Sequence, residues 1–237
     1  MQVHLTRRTD TNVDLKPRTD MANNIKADLL VSVHLNGHND PAAGGTETFY
    51  KLGNDNGKKL AELLQAEMLA EFKLRNRGVK TNNLHMTRES KMPAALTEAG
   101  FISNVSDAAI MKRADFDERH GKAIARGIIK YIEWAGLVNP VIVLDPGHGG
   151  TSTGAAANGV VEKHRVLAAC LVVERELKAY VGKAQPDPRL SAIELLTKEG
   201  VISSPEYWRL NSETGRFVKG EFVADLIMKM AERLTKN

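Results

Sequence analysis

Short continuous apolar runs alternate along the chain with stretches in which apolar residues recur every three or four positions. Residues 3–7 read as a strand, followed by a polar loop and a short helix around 18–25. The run Asp28-Leu29-Leu30-Val31-Ser32-Val33-His34 is mostly apolar and ends in polar residues, as a strand buried on both faces does. A further strand at 46–50 precedes a helix at 57–72, where Leu60, Leu63, Leu64 and Met68 keep helical spacing. Residues 94–99 form a short strand closed by Gly100, and a helix at 118–134 carries Ile124, Ile128, Tyr131 and Ile132 on one side. Residues 141–145 read as a buried strand broken by Pro146-Gly147-His148-Gly149-Gly150. Beyond it Val166, Cys170, Val173 and Leu177 stand at i, i+4, i+7 and i+11 of another helix. This alternation predicts an α/β domain, a mostly parallel twisted sheet flanked by helices.

A main domain is expected over 1–181, with 1–137 and 140–181 completing one sheet. A proline-bearing linker at 182–189 then leads to a small helical module at 190–237. In that module Ser203-Ser204-Pro205-Glu206 supplies a helix start, and Val223, Leu226, Ile227, Met230 and Leu234 form an apolar stripe. A unit of about 50 residues is marginal alone, so docking or dimerisation is expected of it.

Composition narrows the class. With 42% hydrophobic and 26% charged residues the chain is neither disordered nor collagen-like, and its single cysteine, Cys170, excludes an intrachain disulfide. A net charge of +4, spread among acidic residues, argues no nucleic-acid binding but suits an anionic polymer surface. No run approaches the roughly 20 apolar residues of a membrane span. The amino terminus lacks the layout of a secretory signal, which implies holin-type release or a trimmed leader.

The glycine-rich loop at 147–154 raises nucleotide binding first. Ala155 stands where a phosphate loop needs lysine, and Ser152 replaces the third glycine of the dinucleotide fingerprint. A histidine in such a loop is the better clue, because glycines let a metal or ligand approach. His34 ends one strand, Glu98 ends another, and Glu162 opens the helix after the His148 loop. Sites in open parallel sheets gather at the carboxyl ends of strands, so these residues converge on one edge. Two imidazoles and a carboxylate make the ligand set of a catalytic zinc site, and Glu98 suits the separate proton carrier such a site needs.

The segments Leu5-Thr6-Arg7, Ala27 through Asn36, Gly45-Thr46-Glu47-Thr48-Phe49-Tyr50, Arg88 through Asn104, Val143 through Gly150 and Glu162-Lys163 closely resemble the zinc-dependent N-acetylmuramoyl-L-alanine amidases of the amidase-3 type. The resemblance implies one catalytic Zn2+ held by His148, Glu162 and His34, with Glu98 as the catalytic glutamate. The implied reaction is hydrolysis of the amide between the lactyl group of N-acetylmuramic acid and L-alanine, with peptidoglycan of the bacterial cell wall as substrate. In the family the Pro-Gly-His-Gly-Gly strand opens the domain, whereas here it follows the closing helix, so the sequence reads as circularly permuted. Either one chain completes the sheet as a monomer, or two exchange halves in a swapped dimer. The tail at 192–208 is similar to a small module of phage lysins, which implies wall targeting or self-association.

Arg88 and Glu47 lie in matching segments as possible substrate contacts. Their ordinary alternatives are a surface ion-pair partner and a half-exposed strand residue. Gly37 and the Asn39-Asp40-Pro41 turn rule His38 out of a helical zinc pair, leaving at most a loop histidine near substrate. His4, His85, His120 and His164 have no motif behind them, and solvent exposure is expected. Rival readings are a wall-binding protein without catalysis and a zinc peptidase cutting within the stem peptide.

Overall fold

The computed structural model describes residues 1–182 and, beyond them, Thr197. In chain order the elements are β1 (Gln2–Leu5), α1 (Leu15–Asn24), β2 (Leu29–Asn36), β3 (Thr46–Tyr50), α2 (Asp55–Phe72), β4 (Asn76–Thr81), α3 (His85–Arg88), β5 (Ala94–Phe101), α4 (Val105–Met111), α5 (Phe116–Ala135), β6 (Val141–Pro146), β7 (Ala156–Ala157), β8 (Val160–Val161) and α6 (Glu162–Gly182). The linker and the module expected at 182–237 lie outside the described residues, apart from Gly182 and Thr197.

Six strands form one sheet in the order β1-β6-β2-β5-β3-β4. Strands β1, β6, β2 and β5 run parallel; β3 is antiparallel to β5, and β4 pairs parallel with β3. The mostly parallel sheet read from the sequence is the one found. Although β6 comes late in the chain, it sits between β1 and β2.

The near-continuous apolar run of β2 follows from burial on both faces. Leu29, Val31, Val33 and Leu35 join the larger apolar cluster with Leu60 and Leu64 of α2, Ile124 and Ile128 of α5, and Val166 and Cys170 of α6. Leu30 has the opposite parity and joins a smaller cluster with Ala22 of α1, Met86 of α3, Leu96 and Val143. Because strand side chains alternate, Ser32 and His34 share the face of Leu30. Asp145 and Glu98 likewise share the faces of Val143 and Leu96. The smaller cluster thus gives way to polar residues toward the carboxyl ends of the strands.

Several elements differ from the sequence reading. Strand β5 does not stop before Gly100 but runs through it, and the glycine is there for packing. A Cβ at that position would lie 2.8 Å from Met111 Cε and 3.0 Å from Leu74 Cδ1. Strand β2 continues two residues past His34. Helix α1 starts at Leu15, with Pro17 in the first turn, where a missing N–H costs no helical bond. Strand β4 gave no sequence signal because Val79 is its only aliphatic residue and it lies at the sheet edge. His120 corrects the expectation of exposure: it is fully buried, 5.3 Å from the Phe116 ring, one helical turn before Ile124 on the inward face of α5. His4 and His85 are half-buried, and His164 is exposed.

Candidate metal centre

Three side chains from distant parts of the chain meet where β2 and β6 end and α6 begins. His34 lies near the end of β2, His148 two residues beyond β6, and Glu162 at the first position of α6, where a carboxylate also complements the helix dipole. One donor atom from each lies within 4.8 Å of the other two. The Glu162 carboxylate stands between the imidazoles, with Oε1 2.9 Å from His34 Nδ1 and Oε2 3.3 Å from His148 Nε2. Two backbone amides fix it: Leu35 N–H donates to Oε1 at 3.1 Å and Ala155 N–H to Oε2 at 2.8 Å. Ser152 Oγ lies 3.0 Å from His148 Nδ1, which leaves Nε2 facing the cluster.

Glycines make this approach possible. A Cβ on Gly147 would overlap the His34 ring, and one on Gly154 would overlap the Glu162 carboxylate. His148 itself has φ +61°, a left-handed conformation that side chains seldom adopt.

Cross-strand register sets His34, Glu98 and Glu47 in one row across β2, β5 and β3. Burial raises the Glu98 carboxyl, the charge of His34 opposes this, and Glu162 and Glu47 add to it, leaving its pKa at about 8. Its Oε2 is buried without a hydrogen-bond partner among the described residues. Burial alone would lower His34, but the hydrogen bond and charge of Glu162, with Glu98 and Asp145 behind, lift it to about 9. Glu162 is itself held far below the usual carboxylate range: the two histidines outweigh its burial. A carboxylate held between two imidazole nitrogens is a cluster of three donors that a cation could share. The His/His/Glu donor set and the close glycine approaches fit a zinc ion.

The other sequence candidates are placed as follows. Glu47 is buried rather than half-exposed, accepting from Asn36 Nδ2 at 2.8 Å, Arg77 Nε at 2.7 Å and Lys80 Nζ at 2.6 Å. Arg88 ends α3 and donates to Glu89 Oε1 and Asn83 Oδ1, outside the donor cluster. His38 is exposed and borders a cleft of about 360 Å³ with Ser103 and Ala155–157. A second cleft of about 210 Å³ is lined by His34, His148, Arg18 and the 12–15 loop. Sequence reasoning missed Arg18, whose guanidinium is buried against Asp145 at 2.9 Å. Its only signal was a lone arginine in a helix short of apolar residues.

The family described as N-acetylmuramoyl-L-alanine amidase, amidase-3, matches residues 1–130, more than half of the chain. Among curated proteins, N-acetylmuramoyl-L-alanine amidase LytC of Bacillus subtilis (strain 168) is 37% identical over 129 residues, covering 54% of this chain and 26% of that protein. The endolysin of Bacillus phage SPP1 is 34% identical over 136 residues, covering 55% of this chain and 49% of that one. Among solved structures, the catalytic domain of CwlV, an N-acetylmuramoyl-L-alanine amidase from Bacillus (Paenibacillus) polymyxa var. colistinus, matches with TM-score 0.53 and 37% identity. It covers 56% of this chain and 73% of that one. The chain spans about a quarter of the length of the first two curated relatives and 62% of the third. Of the donor cluster, His34 lies inside the family match, whereas His148 and Glu162 lie beyond it, in the loop after β6 and at the start of α6. The chain belongs to the amidase-3 family of N-acetylmuramoyl-L-alanine amidases.

Proposed function

We propose that this chain is a zinc-dependent amidase that cleaves peptidoglycan between the lactyl group of N-acetylmuramic acid and the L-alanine of the stem peptide. The observation that carries the reading is the juxtaposition of His34, His148 and Glu162 with Glu98, whose Oε2 finds no hydrogen-bond partner among the described residues. His34, His148 and Glu162 would hold the ion. Zinc there would supply Lewis-acid polarisation of the amide carbonyl and make water a usable nucleophile near neutral pH.

The remaining steps belong to the protein. Glu98, on the strand beside His34, takes the proton of the attacking water and returns it to the departing alanine nitrogen. A carboxyl with a pKa of about 8 in the metal-free site is poised for both transfers near neutrality, since a nearby dication lowers it toward the working range. The Glu162 carboxylate is fixed by two backbone amides at the place where it would share an ion with both imidazoles. The same reading takes 1–137 and 140–181 as one amidase domain in permuted order, acting on the cell wall, with 190–237 as an accessory module. The names of the relatives support the muramyl–alanine amide as the target over a bond within the stem, and over wall binding without turnover.

Digestion of purified cell walls followed by fragment mass analysis tests this. Stem peptides with a free amino group on L-alanine are expected, with release stopped by a zinc chelator. Fragments cut inside the stem, or release that survives chelation, would overturn the reading.

A further inference from the structure

The loop that carries His148 leaves the sheet after Pro146, so its carbonyls have no neighbouring strand to bond, and buried backbone groups must be satisfied somehow. Two arginines, each 3% exposed, meet that demand. Arg18 Nη1 donates to Pro146 O at 2.7 Å and Nη2 to His148 O at 2.7 Å. Arg7 Nε donates to Pro146 O at 3.0 Å, while its Nη2 donates both to Gly147 O at 2.8 Å and to Lys163 O at 2.9 Å. Arg7 therefore ties the loop of one metal donor, His148, to the helical turn of another, Glu162. Arg18 grips the carbonyl of His148 itself, the residue held at positive φ. Asp145 keeps Arg18 aimed, and is in turn held by Thr6 Oγ1 and Ser32 Oγ, each donating at 2.6 Å.

We propose that Arg7 and Arg18 are positioning residues for the metal centre, fixing the His148 loop and the start of α6 at the separation at which their side chains share one ion. The proposal rests on the zinc reading above. The guanidinium fork is the operative feature, because each arginine spreads its donors over several carbonyls in different directions. Lysine keeps the charge but is a single point donor and cannot span them. The residues touch no reacting atom.

The test compares zinc affinity, by competition with a chromophoric chelator, in the unaltered 237-residue chain and in the Arg7→Lys and Arg18→Lys variants. The visible spectrum of the cobalt-loaded proteins is recorded alongside. Each variant is expected to bind zinc about 10- to 100-fold more weakly, the usual scale for groups that orient ligands, and to show an altered cobalt spectrum. Metal-free melting curves are the control. Lower metal-free melting temperatures with unchanged zinc affinity and cobalt spectra would make the arginines merely structural and overturn the proposal.

If both lysine variants fail to fold, Thr6→Val decides. It is nearly isosteric and removes one of the two donors to Asp145 Oδ1, loosening the group that aims Arg18, and a loss of zinc affinity toward the lower end of that scale, about 10-fold or less, is expected. Unchanged affinity in that variant would also overturn the proposal. If the unaltered chain binds no zinc, the zinc reading falls and the positioning role with it. If it binds zinc and the variants match it, only the positioning role falls.

Discussion

Two carboxylates on the same face of the sheet, buried Asp145 and half-buried Glu98, behave in opposite ways. Asp145 meets a guanidinium at 2.9 Å and two hydroxyls at 2.6 Å, and these partners outweigh its burial and hold its pKa below the usual range. Glu98 has an oxygen with no partner among the described residues and two carboxylates nearby, and its pKa rises to about 8. On the proposed reading, Asp145 is fully bonded because it holds the architecture, whereas Glu98 is left wanting because a satisfied proton acceptor would have no reason to take a proton. Unsatisfied buried polar groups are rare in folded proteins and ask for an explanation. Here the zinc reading supplies one.

Exchanging the roles by mutation gives the largest expected effects. Glu98→Gln keeps size and removes the proton carrier, so turnover on cell walls should fall about 10²- to 10⁴-fold, the usual worth of a general acid–base group. Zinc affinity and melting temperature should stay near those of the parent. Asp145→Ala should do the reverse in kind. It leaves Arg18 charged and buried without its partner, and chemical denaturation of the metal-free chain should register a loss of about 3–5 kcal/mol.

Smaller effects appear with pH, measured as metal-free stability. Glu98 has a raised pKa in the fold, so the folded state binds its proton more tightly than the unfolded chain, and stability should fall as pH rises from about 4.5 to about 8. His34, raised from 6.5 to about 9, contributes stability that is fully present below 6.5 and is lost as pH climbs through 9. The Glu98→Gln variant should therefore lose the first decline and keep the second. Asp145 is lowered, so its contribution is present above 3.8 and disappears as pH falls through its folded value. A Glu98→Gln profile identical to the parent's would mean that this carboxyl is satisfied after all. The smallest change is Ser32→Ala, which removes one hydroxyl from Asp145 and should cost about 1–2 kcal/mol in the same denaturation assay.

The contrast also explains what was legible in the sequence. His34, Glu98, His148 and Glu162 stood out because polar residues follow apolar runs near strand ends or sit in a glycine loop, where parallel sheets collect ligands. Arg7 and Arg18 did not, because most of what they bond is backbone carbonyl, and carbonyls carry no residue identity that a sequence displays. Glu47 read equally as a substrate contact or a half-exposed strand residue, whereas β4 covers it and supplies Arg77 and Lys80. His120 was readable in principle: its spacing to Ile124 and Ile128 places it on the buried stripe of α5, but polar identity outweighed position in the reading. Strand β4 lacked a pattern because an edge strand whose faces are half-exposed needs few apolar residues.

The most direct test is zinc stoichiometry by equilibrium dialysis with metal analysis on the parent, His34→Ala and Glu98→Gln. The account predicts one zinc per chain in the parent and in Glu98→Gln, and loss of tight binding in His34→Ala. One zinc retained with parental affinity after His34→Ala would contradict it.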